Sequence, residues 1–202
     1  MPPQTPDPAA VLARAFFSDP AWVWAVPDDR RRERVLAWFF RAIVRYARRV
    51  GEVRVGEGQD AAAILLPPDK PRLDNLQLMR AGLWQMAFRA GPGGFSRFLT
   101  MRRILEERHD VDVGPRHWYV WLIGVDPPRQ GQGAGSALLS SVCADADRDG
   151  VPCYLDTTNE RNLVFYRRHG FEVVYEGEFP RGGPHLWTLV RPPRGRLPVP
   201  CS

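Results

Sequence analysis

Asp126-Pro127-Pro128-Arg129-Gln130-Gly131-Gln132-Gly133-Ala134-Gly135-Ser136 lies between an apolar run, Trp118 to Val125, and a stretch with helical spacing, Gly135 to Asp147. The run predicts a strand and the spacing a helix, so the glycine-rich segment stands where a strand passes into a helix N-terminus. Glycines there remove the Cβ atoms that would hold a ligand off the backbone. Consecutive N–H groups at a helix start then converge on an anion, helped by the helix dipole. The segment reads as a cradle for a pyrophosphate. A P-loop needs a lysine after its glycines, and Lys70, far upstream, is the only lysine in the chain. A dinucleotide fingerprint needs GxGxxG and an acid about twenty residues on. Here the glycines at 131, 133 and 135 fall evenly two apart, and Cys153 stands where the acid would be.

Working outward, Asp7-Pro8 opens a short helix through Val11, Leu12, Ala15 and Phe16 that Asp19-Pro20 stops, and a loop holding Trp22 and Trp24 follows. Arg30 to Arg49 sets Leu36, Phe39, Phe40, Ile43, Val44 and Ala47 on one helical face with arginines opposite, most simply a solvated face. Glu52 to Val55 and Ala61 to Leu66 read as a hairpin ended by Pro67-Pro68. Leu73 to Arg89 and Phe95 to His109 read as two helices around the breaker Gly91-Pro92-Gly93-Gly94. Downstream, Tyr154 to Thr157 is a strand, Leu163 to His169 a short helix, and Phe171 to Glu176 with Leu186 to Val190 a closing pair of strands. The alternation predicts one α/β (α+β) domain over residues 1–191, with helical insertions in its N-terminal half and its cofactor-binding core at 117–191. The tail 192–202, rich in proline and arginine, is expected to be a flexible end.

A length of 202 residues suits one such domain, and 44% hydrophobic with 25% charged residues excludes a disordered chain. No run reaches the roughly 18 apolar residues of a membrane span, and Met1 to Pro8 lacks the regions of a signal peptide, so a cytoplasmic location is expected. Cys143, Cys153 and Cys201 form no CxxC pair. His109, His117, His169 and His185 lack metal-ligand spacing, and no metal is expected. The net charge of +5 suits nucleic acid or a small polyanionic ligand such as a nucleotide cofactor.

A third cradle pattern, [QR]xxGx[GA], is met by Gln130-Gly131-Gln132-Gly133-Ala134-Gly135 after Gly124-Val125-Asp126-Pro127. Asn159, then Tyr166, then Arg168-His169-Gly170-Phe171 complete a spacing that resembles the GNAT superfamily of acyl-CoA N-acyltransferases over roughly His117 to Arg191. Tyr154-Leu155-Asp156-Thr157 and Asn162-Leu163-Val164-Phe165-Tyr166 look most similar to the puromycin N-acetyltransferase-like branch. Two features depart from the pattern. That family usually opens with a strand, and Met1 to Asp7 do not read as one; that branch often has Glu-Thr where this chain has Asp156-Thr157. A missing first strand would leave a sheet edge that a second chain could cover, hence a possible homodimer.

The resemblance implies a mixed, mostly antiparallel central sheet flanked by helices, with acetyl-CoA as cosubstrate and direct attack of a neutral amine on the thioester. It assigns the pyrophosphate to Gln130, Gly131, Gln132, Gly133, Ala134, Gly135 and Ser136, with Asn159 as a further cofactor contact. Pantetheine falls to the backbone of Ile123, Gly124 and Val125, where a bulge is expected to splay the strands, and the Val125 N–H to the developing oxyanion. Tyr166 matches the general acid for the leaving thiolate, and Asp156 is the candidate base. Each has a plainer alternative: Tyr166 as a core tyrosine, Asp156 as a turn or capping residue, Asn159 as a helix cap. Some of Trp22, Trp24, Trp84, Trp118 and Trp121 are expected to line an aromatic acceptor pocket. The expected partner is a small-molecule amine, with protein amines as a variant and neither nucleic acid nor membrane. An inactive acyl-CoA-binding sensor and a nucleic-acid binder using the arginine-rich helix are the competing classes.

Overall fold

The computed structural model describes residues 7–195, so the N-terminal strand question at Met1 to Pro6, Cys201, and all of the tail beyond residue 195 lie outside it. Chain order is α1 (Pro8–Ala15), α2 (Pro20–Ala25), α3 (Asp29–Val50), β1 (Glu52–Val55), β2 (Ala61–Leu66), α4 (Asn75–Arg80), α5 (Met86–Arg89), α6 (Gly91–Asp112), β3 (Trp118–Val125), α7 (Ala134–Asp149), β4 (Cys153–Thr157), α8 (Arg161–Arg168), β5 (Glu172–Glu178) and β6 (His185–Arg191). The strands form one six-stranded sheet in the order β1-β2-β3-β4-β6-β5, antiparallel throughout except between β3 and β4. This is the expected mixed, mostly antiparallel α/β sheet.

The two-residue period of β2 divides the core. Ala62 and Ile64 join the cluster under α1 and α3, while Ala61, Ala63 and Leu65 join the cluster under α7 and α8. In α3, Leu36, Phe39, Phe40, Ile43 and Ala47 are all buried as the spacing predicts. Arg32 departs from the solvated face. It is 4% exposed and donates to the Phe17, Val26 and Pro27 carbonyls and to Asp29, tying α3 to the segments on either side of α2.

Three local expectations change. The segment around Trp22 and Trp24 is a helix rather than a loop, because Asp19-Pro20 starts α2: the Ala21 N–H donates to Asp19 Oδ1 at 3.0 Å and proline takes a first-turn position. The stretch Leu73 to Arg89 breaks at Gly82, whose φ of +104° lies in the left-handed region, leaving the short α4 and α5. Gly91, at φ +74°, separates α5 from α6 as a breaker would, but Gly91-Pro92-Gly93-Gly94 also form the first turn of α6; a Cβ on Gly94 would stand 3.0 Å from the Ala25 carbonyl, so the glycine lets α6 approach α2.

The expected bulge also moves. The β2–β3 register skips a residue at Trp121, opposite Ile64 and Leu65, while Gly124 pairs regularly with Ala62. Gly124 answers a different need, since a Cβ there would lie 2.7 Å from the Ala15 Cβ on α1. Gly124→Ala is expected to lower unfolding stability by about 1–3 kcal/mol through overpacking, read as a shift in the urea midpoint at unchanged slope.

Candidate active site

β3 and β4 pair only at Trp118–Cys153 and Tyr119–Tyr154, and beyond those two rungs the strands part. The orientation of the exposed edge follows from its other neighbour. The Asp126 N–H donates to the Asp60 carbonyl at 2.7 Å, so by antiparallel alternation Gly124 and Leu122 turn their backbone groups toward β2. Ile123 and Val125 therefore present theirs to the opening. Of the three residues expected to offer backbone there, Gly124 does not. Gln130 Nε2 donates to the Val125 carbonyl at 3.2 Å from that open side.

After β3 the chain passes through one 3₁₀ turn, Pro127–Arg129, into α7. Arg14 on α1 grips Asp126 through two nitrogens, Nη2 to Oδ2 at 2.6 Å and Nε to Oδ1 at 3.0 Å, and holds that carboxyl below the usual range. Gly131 (φ +79°) and Gly133 (φ +91°) occupy the left-handed region, and a Cβ on either would meet no atom within 4 Å. Gly133 is the N-cap of α7, so no side chain occupies the free N–H groups of the first turn. Gly135 acts otherwise: its Cβ would lie 3.0 Å from Val125 Cγ2, so it sets how closely α7 packs on β3. Ser136 Oγ is hydrogen-bonded to His169 Nε2 at 2.9 Å, Gln132 is exposed, and Ala134 packs against the core beneath α7.

A cavity of about 330 Å³ lies on the other side of the parted strands, with Asp156 and Tyr166 both in its lining and Ile123 at its wall. Asp156 accepts from the Tyr119 hydroxyl at 2.7 Å, and burial pushes its carboxyl up to about 6, with a further contribution from the charge of Asp19. Tyr166 is 5% exposed, and burial, then Asp156 and Asp19, hold its phenol protonated well beyond the ordinary range. Asn159 does not line this cavity; just ahead of α8, its Oδ1 accepts from the Arg161 N–H at 3.2 Å. Asn162, one helical turn before Tyr166, lines the cavity instead.

Trp22 and Trp121 line the cavity, whereas Trp24 stacks on Phe179, Trp84 is exposed, and Trp118 lies under Arg54 on the opposite face. Asp19 was legible only as a helix signal, yet its carboxyl faces this cavity, is raised by burial to about 6, and accepts from the Thr158 hydroxyl at 3.3 Å. His109 and His117, unpaired by any sequence spacing, meet at 2.6 Å, and His117 Nδ1 donates to the Gly114 carbonyl. Burial holds His109 neutral, down to about 4, where it stacks on Tyr154 beneath the cavity wall. Among the described residues no group of three His, Cys, Asp or Glu is arranged to hold a metal ion, and no helix is long and apolar enough to cross a membrane.

Residues 89–171, from the end of α5 to the start of β5, match the Acetyltransferase (GNAT) family. An uncharacterized N-acetyltransferase of Schizosaccharomyces pombe is 28% identical over 180 residues, 83% of this chain and 70% of that protein. A mycothiol acetyltransferase of Propionibacterium freudenreichii is 40% identical over 68 residues, 32% of this chain and 22% of its own length. Among solved structures, one of Corynebacterium glutamicum described as histone acetyltransferase HPA2 and related acetyltransferase superposes with a TM-score of 0.62 at 20% identity, covering 95% of this chain and 91% of that one. A polyamine N-acetyltransferase of Drosophila melanogaster does so with 0.55 at 18% identity over 91% and 92%. The matched stretch contains the parted strand pair, the glycine loop and α8: over residues 89–171 this chain is similar to the GNAT acetyltransferases, and its fold as a whole is that of the Corynebacterium and Drosophila structures.

Proposed function

We propose that the protein transfers an acetyl group from acetyl-CoA to the primary amine of a small molecule by direct attack. The observation that supports this is the cavity lined by both Asp156 and Tyr166, with residues of β3 and β4 in its wall. Its size, near the lower end of small-molecule pockets, favours a small acceptor over a folded protein surface. The likeness of the Tyr154–Thr157 and Asn162–Tyr166 stretches to the puromycin N-acetyltransferase branch supports the same acceptor class.

The residues fit coenzyme A. Open space where side chains of Gly131 and Gly133 would stand, and the uncapped first turn of α7, suit a pyrophosphate. The outward backbone groups of Ile123 and Val125 suit an amide-bearing chain laid along the strand as an added edge. Acetyl-CoA supplies the activated acetyl group, and the side chains divide the remaining work. The Val125 N–H donates to the acyl oxygen as charge builds on it. Asp156 takes the ammonium proton, directly or through water; a carboxyl raised to about 6 is still ionised at neutral pH and is a stronger base than an ordinary aspartate. Tyr166, kept protonated by its buried, anionic surroundings, donates to the leaving sulfur.

Calorimetric titration with acetyl-CoA is expected to give one site, and a folded sample that takes up none overturns the proposal. Tyr166→Phe is expected to lower kcat about 100-fold, within the usual range for a general acid, with little change in KM; wild-type turnover would leave Tyr166 without its role. Because Asp156 must be ionised to accept a proton and titrates at about 6, kcat/KM for an amine is expected to fall as pH drops through about 6. An amine-transfer rate level down to pH 5 would remove Asp156 as the base.

A further inference from the structure

The acidic groups around the acceptor cavity fall into two sets. Glu106 is hydrogen-bonded to Arg102 and Asp110 to Arg72 Nη2 at 2.6 Å, so each of these carboxylates is already matched by a guanidinium. Asp19 and Asp156 have no cationic partner among the described residues. Asp19 is held by the Ala21 N–H and the Thr158 hydroxyl, and Asp156 by the Tyr119 hydroxyl. Tyr166, 5% exposed, lines the same cavity and feels the charge of both. The apolar part of the wall is built by Trp22, Phe39, Leu83, Phe98 and Met101.

Buried carboxylates without a counter-ion are costly as anions, and burial lifts both Asp19 and Asp156 to about 6. At neutral pH the pair nevertheless carries net negative charge, and a single ammonium brought between the two would relieve it. A second ammonium on the same ligand has no comparable place. It would lie against the apolar wall, or beside Arg72 and Arg102, where the acids are already neutralised and the guanidiniums repel it.

Building on the proposed amine acetylation, we infer that Asp19 is a second recognition carboxylate of the acceptor site, and that the cavity selects a monocationic amine on an apolar, aryl-alkyl or branched-alkyl body over polyamines. The ammonium is gripped by Asp19 and Asp156 together. One of its protons passes to Asp156, and the neutral amine remains hydrogen-bonded to Asp19 with its lone pair free for the acyl carbon. Asp19 binds and orients; it takes no proton.

The test uses the full chain with 2-phenylethylamine, spermidine and the uncharged isostere 2-phenylethanol, measuring binding by calorimetry with coenzyme A present and turnover by thiol release. The expected result is that 2-phenylethylamine binds, and that its kcat/KM exceeds that of spermidine by about tenfold or more, as a cavity leaving one charge unpaired should discriminate. Asp19→Asn keeps a side chain able to cap α2. It is expected to raise KM for 2-phenylethylamine about tenfold, the loss of one charged hydrogen-bond partner, with kcat within about threefold. Inhibition by 2-phenylethanol and the affinity for acetyl-CoA should not move, whereas a merely structural role would shift them together with the amine. No binding of 2-phenylethylamine, a preference for spermidine, an unchanged KM in Asp19→Asn, or equal losses for amine and alcohol would each overturn the inference. Turnover of spermidine alone would do so while leaving acetyl transfer intact, whereas failure to bind acetyl-CoA strikes the acetyl-transfer proposal itself.

Discussion

The parting of β3 from β4 after Tyr119 and Tyr154 organises everything around it. Two strands that stayed paired would bury every backbone group of Ile123 and Val125 in a ladder and close the middle of the sheet. Parted, they leave donors and acceptors that must be satisfied by something else, because an unpaired buried group costs about 1–3 kcal/mol. The protein supplies one such partner itself, the Gln130 amide on the Val125 carbonyl. The same gap joins the glycine loop at the C-terminal end of β3 to the cavity on the other side. It is tolerated because β3 is held fully along its other edge by β2, with the register slip confined to Trp121, and because Arg14 pins Asp126 at the strand end.

Around that gap the charges are distributed unequally. Guanidiniums answer most of the acids that are out of the water: Arg191 for Asp147, Arg54 for Asp145, and Arg108 with the Thr188 hydroxyl for the nearly inaccessible Asp112. Guanidinium suits this use, since its planar fork can hold a carboxylate at two points with little added hydration cost; Arg191 does so on Asp147. Against this pattern, Asp19 and Asp156 are left with only hydroxyl and amide donors. Neutral donors hold the carboxylates in position without removing their charge, the arrangement expected where a cation is to arrive from outside.

How much of this was legible in the sequence depended on whether a feature was local. The hairpin boundaries at 52–55 and 61–66 follow from alternation and from Pro67-Pro68, both short-range signals, and β3 was bounded equally well. The glycine loop was legible as the passage from β3 into α7 because its signal is carried by consecutive residues. The bulge was misjudged by three residues, at Gly124 instead of Trp121, because a register slip is a property of two strands and no single strand encodes it. Asn159 and Asp19 show the reverse ambiguity. Both residue types accept from backbone at helix starts; Asn159 does so ahead of α8 away from the cavity, whereas Asp19 caps α2 and also faces the cavity, and the difference lies in where the helix is docked. The His109–His117 pair needed α6 to be laid beside the start of β3 before it existed at all.

The two halves of the chain contribute differently to the site. The loop, the open edge of β3, Asp156 and Tyr166 all fall within residues 89–171, the span that matches the family. Asp19, Trp22, Phe39 and Leu83 come from α1–α5 and their connections, before that span begins. The two sets meet through close packing: Gly94 lets α6 sit against the Ala25 carbonyl, and Trp22 packs on Phe98 of α6 with ring centroids 6.2 Å apart. A substitution at the α2–α6 seam therefore moves the cavity wall relative to Asp156 and Tyr166 without touching the loop between β3 and α7. Under the proposed acetyl transfer, acceptor choice and coenzyme binding are in this way separable in the fold, the first set by helix docking and the second by a loop whose geometry its own glycines and Arg14 maintain.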